Sequence, residues 1–166
     1  MLLISDSNIF IDMIAGELLD QMFHLPETFA VPDVLYEEEL SEQHPELLDL
    51  GLVRLGLKGE GVAEAIALGA VCTGRDAPSQ NDLIALMLAK QEQALLLTGD
   101  RRLRRLAEQR CDTIEIRGTI WLVQRLVEED LIVPTDAAIA FDKMRLGGSR
   151  LPWTTEVARQ LRGWGL

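Results

Sequence analysis

The sequence predicts an α/β layer fold on a mainly parallel sheet, and three observations carry that reading. Short apolar runs alternate with helical stretches along the chain, the order that stacks helices on a sheet. A length of 166 residues suits one domain with a real core. Apolar residues make up 48% of the chain, too many for disorder, and no apolar run reaches the length of a membrane span.

The elements follow in order. Leu2–Ser5 is an apolar run that reads as a buried strand, and Asn8–Gly16 as a helix. Phe29–Val31 predicts a short strand ended by Pro32, followed by a Glu-rich helix over Asp33–Gln43. A strand is expected around Val53–Leu55, then a helix of small residues over Gly61–Val71. Ser79–Glu92 is helical and apolar almost all round, so it should be buried. Ala94–Thr98 reads as a strong strand and Arg101–Gln109 as a basic helix. Thr113–Ile116 is a further strand, and Thr119–Glu129 a further helix. Ile132 and Val133 precede a tail, Pro134–Leu166, with two helices separated by Gly147–Pro152. The expected organisation is a domain over residues 1–133 and a helical extension over 134–166 packed on it.

Ligands of open parallel sheets bind beyond the carboxyl ends of the strands, so the residues after each strand matter most. Asp6 follows the first strand, in Asp6-Ser7-Asn8, and Asp100 follows the strong strand, in Thr98-Gly99-Asp100. Either acid can serve simply as the N-cap of the next helix. Asp82 fits a capping box with Ser79, yet it lies ~40° from Leu86 on a helix with little polar surface. A carboxylate on a buried helix needs a cation, a hydrogen-bond partner or a raised pKa. In Glu37-Glu38-Glu39, a run that ordinarily forms a solvated face, the helical wheel puts Glu38 between Val34 and Leu35 and so inward. Converging carboxylates repel one another unless a cation sits among them. An all-oxygen set suits a hard ion such as Mg²⁺ or Mn²⁺, the usual equipment for phosphodiester hydrolysis.

These pieces together resemble the PIN-domain ribonucleases, the family that includes the VapC-type toxins of bacterial toxin–antitoxin pairs. The resemblance rests on Asp6-Ser7-Asn8, on Val31–Glu38, on Ser79–Asp82 running into Ala85, Leu88 and Ala89, and on Leu97–Asp100, in that order, over about residues 2–133. It implies a three-layer fold, with a parallel sheet of about five strands flanked by helices, and a Mg²⁺- or Mn²⁺-dependent endoribonuclease. By position, Asp6, Glu38, Asp82 and Asp100 would form the catalytic quartet, with Glu39 an alternative to Glu38. Asp6, Asp82 and Asp100 would hold the metal, and Asn8, Ser79 and Thr98 would support them. The implied partners are an RNA substrate, a cognate antitoxin and a second copy of the chain.

The basic run Arg101-Arg102-Leu103-Arg104-Arg105 follows Asp100 directly. A solvated face with an Arg104–Glu108 pair is the plain reading. Arginine in a first helical turn opposes the helix dipole, however, and RNA contacts by Arg101, Arg102 and Arg105 would account for it. His24 and His44 stand alone and read as non-catalytic. Trp121, Trp153 and Trp164 read as packing or interface anchors. Gly147–Arg150 lacks the Lys-Ser/Thr of a phosphate loop and reads as a hinge. Asp76 reads as a loop residue, near Asp82 in sequence.

Two other functions compete. A haloacid-dehalogenase-type phosphatase also starts with an acid after its first strand, but it needs a second acid where Asn8 stands. A PIN fold turned binding module suits the excess of acid. The chain has 16 basic against 27 acidic residues, a balance of −11. Setting aside the four candidate acids leaves 16 against 23, or −7, which excludes a broad electrostatic grip on nucleic acid. The start, MLLISDSN, has no basic n-region, and two cysteines form no disulfide framework, so a cytoplasmic protein with no membrane association is expected.

Overall fold

Unbroken apolar runs pair into a sheet that is covered on both faces. The structure is a computed structural model and describes residues 1–72, 74–75 and 77–166. Strands β1 (Leu2–Ser5), β2 (Thr28–Pro32), β3 (Val53–Leu55), β4 (Leu95–Leu97) and β5 (Ile116–Arg117) form one five-stranded sheet in the order β3-β2-β1-β4-β5. Every pairing is parallel. The chain therefore builds outward from β1 on one side, then returns to its other side with β4. That reversal opens a crevice at the carboxyl ends of β1 and β4. Ser5 is in register with Leu97, and the Asp6 N–H donates to the Leu97 carbonyl at 3.1 Å, so the two strand ends leave the sheet together.

The period-2 alternation sorts strand residues between two cores. Leu3, Phe29, Val31, Leu95 and Leu97 face one core. It is closed by α1 (Ser7–Ala15), α2 (Leu19–Met22), α8 (Thr119–Glu128) and α9 (Pro134–Leu146). Ile4, Ala30, Leu96 and Ile116 face the other. That side is closed by α5 (Gly59–Val71), α6 (Gln80–Glu92) and α7 (Arg101–Arg110). The structure thus has the expected three layers with a parallel five-stranded sheet. Helix α6 is buried from Ala85 to Ala89, as its apolar circumference requires. Helix α9 inserts Ala137, Ala140, Phe141 and Met144 into the core that α1 lines.

Several elements depart from the sequence expectation. The Glu-rich helix is α only over α3 (Asp33–Leu35). It continues as a wider π-helical turn over Tyr36–Leu40, closed by the Ser41 N–H on the Tyr36 carbonyl at 2.8 Å. The widening lets both Tyr36 and Leu40 reach the core and leaves Glu37, Glu38 and Glu39 exposed. Two short helices, α2 and α4 (Glu46–Leu50), were not expected. The last strand is Ile116–Arg117 rather than Thr113–Ile116, because pairing of Leu96 with Ile116 and Leu97 with Arg117 sets its register. In the tail, α9 is followed by a π-helical turn over Trp153–Val157 and by α10 (Ala158–Gly163). Among the described residues, no helix is long and apolar enough to cross a membrane.

Candidate functional site

Asp6 and Asp100 are both the N-caps that the plain reading allows, and both also border the crevice. Asp6 is 2% exposed. Its Oδ1 accepts the Ile9 N–H at 3.2 Å, and its Oδ2 accepts the Thr98 hydroxyl. The Thr98 oxygen in turn accepts the Asp100 N–H at 3.1 Å, so one buried hydroxyl connects the two acids. Burial pushes the Asp6 carboxyl up to about 7, its two hydrogen bonds oppose the rise, and the charges of Asp82 and Asp100 add to it.

Asp82 closes the expected capping box. Its N–H donates to the Ser79 hydroxyl at 3.1 Å, and its carboxylate accepts the Ser79 N–H at 3.3 Å. Burial raises its pKa, the Ser79 bonds oppose this, and Asp100 and Glu39 raise it further. Asp6, Asp82, Asp100 and Glu39 therefore share one electrostatic neighbourhood. The helical wheel predicts an inward Glu38. In the structure Glu38 is exposed and accepts the Asn81 amide at 2.9 Å. Glu39 accepts the same amide at 3.0 Å and also the buried Ser7 hydroxyl at 2.9 Å. Ser7 and Asn81 thus hold the Glu run against the edge, and neither is among the site residues the sequence predicts. Both lie next to a candidate acid, Asp6 or Asp82, which was the one signal available. Asn8 is exposed. Asp76 lies outside the described residues.

Asp100 behaves in the opposite way. Burial pushes it up, but the Arg102 guanidinium and the N–H groups of Arg102 and Leu103 outweigh this and hold its carboxyl below the usual range. Arg102 grips both oxygens, Nε to Oδ1 at 3.2 Å and Nη2 to Oδ2 at 3.0 Å. A further bond from Arg102 Nη1 to the Arg75 carbonyl at 3.3 Å anchors it. Arg102 thus turns toward the acids, while Arg101 and Arg105 line a neighbouring groove.

The all-carboxylate donor types suit a hard cation, but their arrangement does not form a ready cage. Among the described residues, no three His, Cys, Asp or Glu side chains stand together so as to hold an ion. Asp100 is chelated by Arg102, and Asp82 is engaged in its cap. As arranged, the residues do not fit Mg²⁺ or Mn²⁺.

The sheet order and crevice define an α/β domain of PIN type, and a solved structure shares it. A PilT N-terminus domain protein from the hyperthermophilic archaeon Sulfolobus solfataricus P2 superimposes with a TM-score of 0.51 at 12% identity, over 77% of this chain and 95% of that one. At that identity the likeness is one of fold. A family model described as a PIN domain matches residues 2–162, and the chain belongs to this PIN-domain family. No curated protein matches the sequence.

Proposed function

We propose that this PIN-domain chain is an RNA-binding module that takes the strand at the carboxyl edge of its sheet. The observation that carries this reading is the two-bonded grip of Arg102 on Asp100. It neutralises Asp100 at the mouth of the crevice with no ion. The neighbouring arginines of α7 then meet phosphate beside a paired acid rather than a bare one. Guanidinium forks suit phosphate oxygens in both geometry and charge.

A second reading is a Mg²⁺- or Mn²⁺-dependent endoribonuclease of VapC type, neutralised by an antitoxin and acting as a homodimer. The burial of Asp6 beside Asp82 favours it, because a divalent cation would relieve two carboxylates that burial and neighbouring charge both raise. In this reading Asp6, Asp82 and Asp100 hold the ion, with Glu38 or Glu39 completing the set, once Arg102 has left Asp100. Thr98 positions Asp6, while Asn8 and Ser79 support the turns around the site.

One experiment separates the two. Binding and cleavage of single-stranded RNA are measured together in Mn²⁺ and in EDTA, for the wild type and for Asp6→Asn. The module reading expects binding in both media and no cleavage. Cleavage that needs Mn²⁺ and disappears in Asp6→Asn establishes the nuclease instead. Absence of binding in either medium overturns the module.

A further inference from the structure

Next to the acid crevice lies a groove of about 590 Å³ between α7, β5, the first turn of α8 and residues 150–152. Five arginines line it: Arg101, Arg104, Arg105, Arg117 and Arg150. The chain has only 16 basic residues and a balance of −11, so nearly a third of its positive charge is gathered in one place. A single acid, Glu156, lies on the lining. Arg117 pairs with Glu115 at 2.6 Å. The other four make no ion pair among the described residues.

Helix stability does not account for this gathering. Arg101 repels Arg104 and Arg105 across one turn, and Arg101 itself opens α7 at the positive end of its dipole. A bound polyanion offsets both costs. The groove is also mixed in character. Trp121 and Ile120 stand on its α8 side, and Leu151 and Pro152 on its far side. Arginines beside an aromatic and apolar wall suit a strand with a charged backbone and planar bases better than an acidic peptide, which has no bases to rest there. Thr98 and Gly99 line the groove too, and the Thr98 hydroxyl bonds Asp6 and accepts the Asp100 N–H, so the groove adjoins the acids.

We propose that this groove is a track for single-stranded RNA leading to the acid edge, with residues 150–152 of the C-terminal extension as its outer wall. The proposal deepens the RNA-binding reading and rests on it. The extension then acts in recognition, with Arg150 as its phosphate contact.

The test uses a short labelled oligouridine, read by fluorescence anisotropy over a salt series. Arg104→Glu/Arg150→Glu is compared with Arg159→Glu/Arg162→Glu, which carries the same charge change on exposed residues of α10 outside the groove. Thermal melting checks that both variants fold. The groove variant should bind about tenfold or more weakly, and the control within about twofold of wild type. For a single strand the slope of log K against log salt is about −0.7 per phosphate neutralised, so four to five contacts predict roughly −3, falling toward −1.5 in the groove variant. Equal losses in the two variants, or no loss in the groove variant, overturn the track. So does competition by polyglutamate as strong as that by unlabelled RNA, which would assign the groove to an acidic protein. Failure of the wild type to bind RNA removes the underlying reading, whereas wild-type binding indifferent to the groove charges removes the track alone.

Discussion

Asp6 carries the least compensated charge at the site, and its effect on stability has a definite sign. Its folded pKa, about 7, lies above the ordinary 3.8. The fold therefore prefers the protonated acid, and stability is fullest below the ordinary value and lost as pH rises through about 7. At 1.36 kcal/mol per unit, the shift corresponds to about 4 kcal/mol as an upper figure. Asp6→Asn should therefore melt above the wild type near pH 8 and level with it near pH 4, as followed by circular dichroism. A variant that loses stability near pH 8 would contradict the burial cost. Asp100 is the counterexample on the same edge, with its ionised form favoured by Arg102. Asp6, Asp82 and Asp100 are legible in the sequence because strand ends and capping patterns are local. The wheel ranks Glu38 as the inward residue, and the structure leaves it exposed, because a wheel of ~100° per residue does not describe a π-helical turn. The fold-back of Arg102 onto Asp100, rather than outward, depends on side-chain rotamers that no sequence pattern encodes.

At the scale of elements, one ion pair ties α8 to the entrance of β2. The Arg125 guanidinium meets Glu27 Oε1 at 2.6 Å and 3.1 Å, and the Glu27 side chain is 5% exposed. The other Glu27 oxygen is buried with no partner among the described residues. Removing the cation alone leaves a buried carboxylate uncompensated. Arg125→Met should therefore cost about 3–5 kcal/mol in urea denaturation. Adding Glu27→Gln should recover most of that loss. If the single variant unfolds at the wild-type midpoint, the tie has no structural weight. A second junction joins α1 to α9. A Cβ on Gly16 would come within 2.7 Å of the Met144 Cε and 3.3 Å of the Ala140 carbonyl oxygen, so the two helices approach closely there and a side chain would require the Met144 thioether end to move aside. Long apolar helices such as α6 were legible, because their composition alone demands burial. The short α2 and α4 were not, since four or five residues hold too few turns to show a period and depend on tertiary contacts.

The whole molecule is a sheet between two cores, with its edges at β3 and β5. Amide exchange should follow that geometry. Amides of β1, β2 and β4 should exchange slowest and those of β3 fastest, because the β3 residues are exposed or half-buried while Leu95–Leu97 are buried throughout. Uniform protection across all five strands would argue against the order β3-β2-β1-β4-β5. The alternation of strands and helices made this architecture readable, since unbroken apolar runs admit few other folds. The long-range features were not readable. The groove joins residues 98–121 to 150–156, and no local pattern links them. The strand order also places charge. The Glu37–Glu39 run follows β2, whereas the groove arginines lie on the β4–β5 side. The carboxyl edge is thus electrically lopsided, repelling a polyanion on one flank and admitting it on the other. Under the proposed RNA-binding reading, a strand drawn along the arginines would be turned back at the glutamates, so it would approach the crevice from the β4–β5 flank alone.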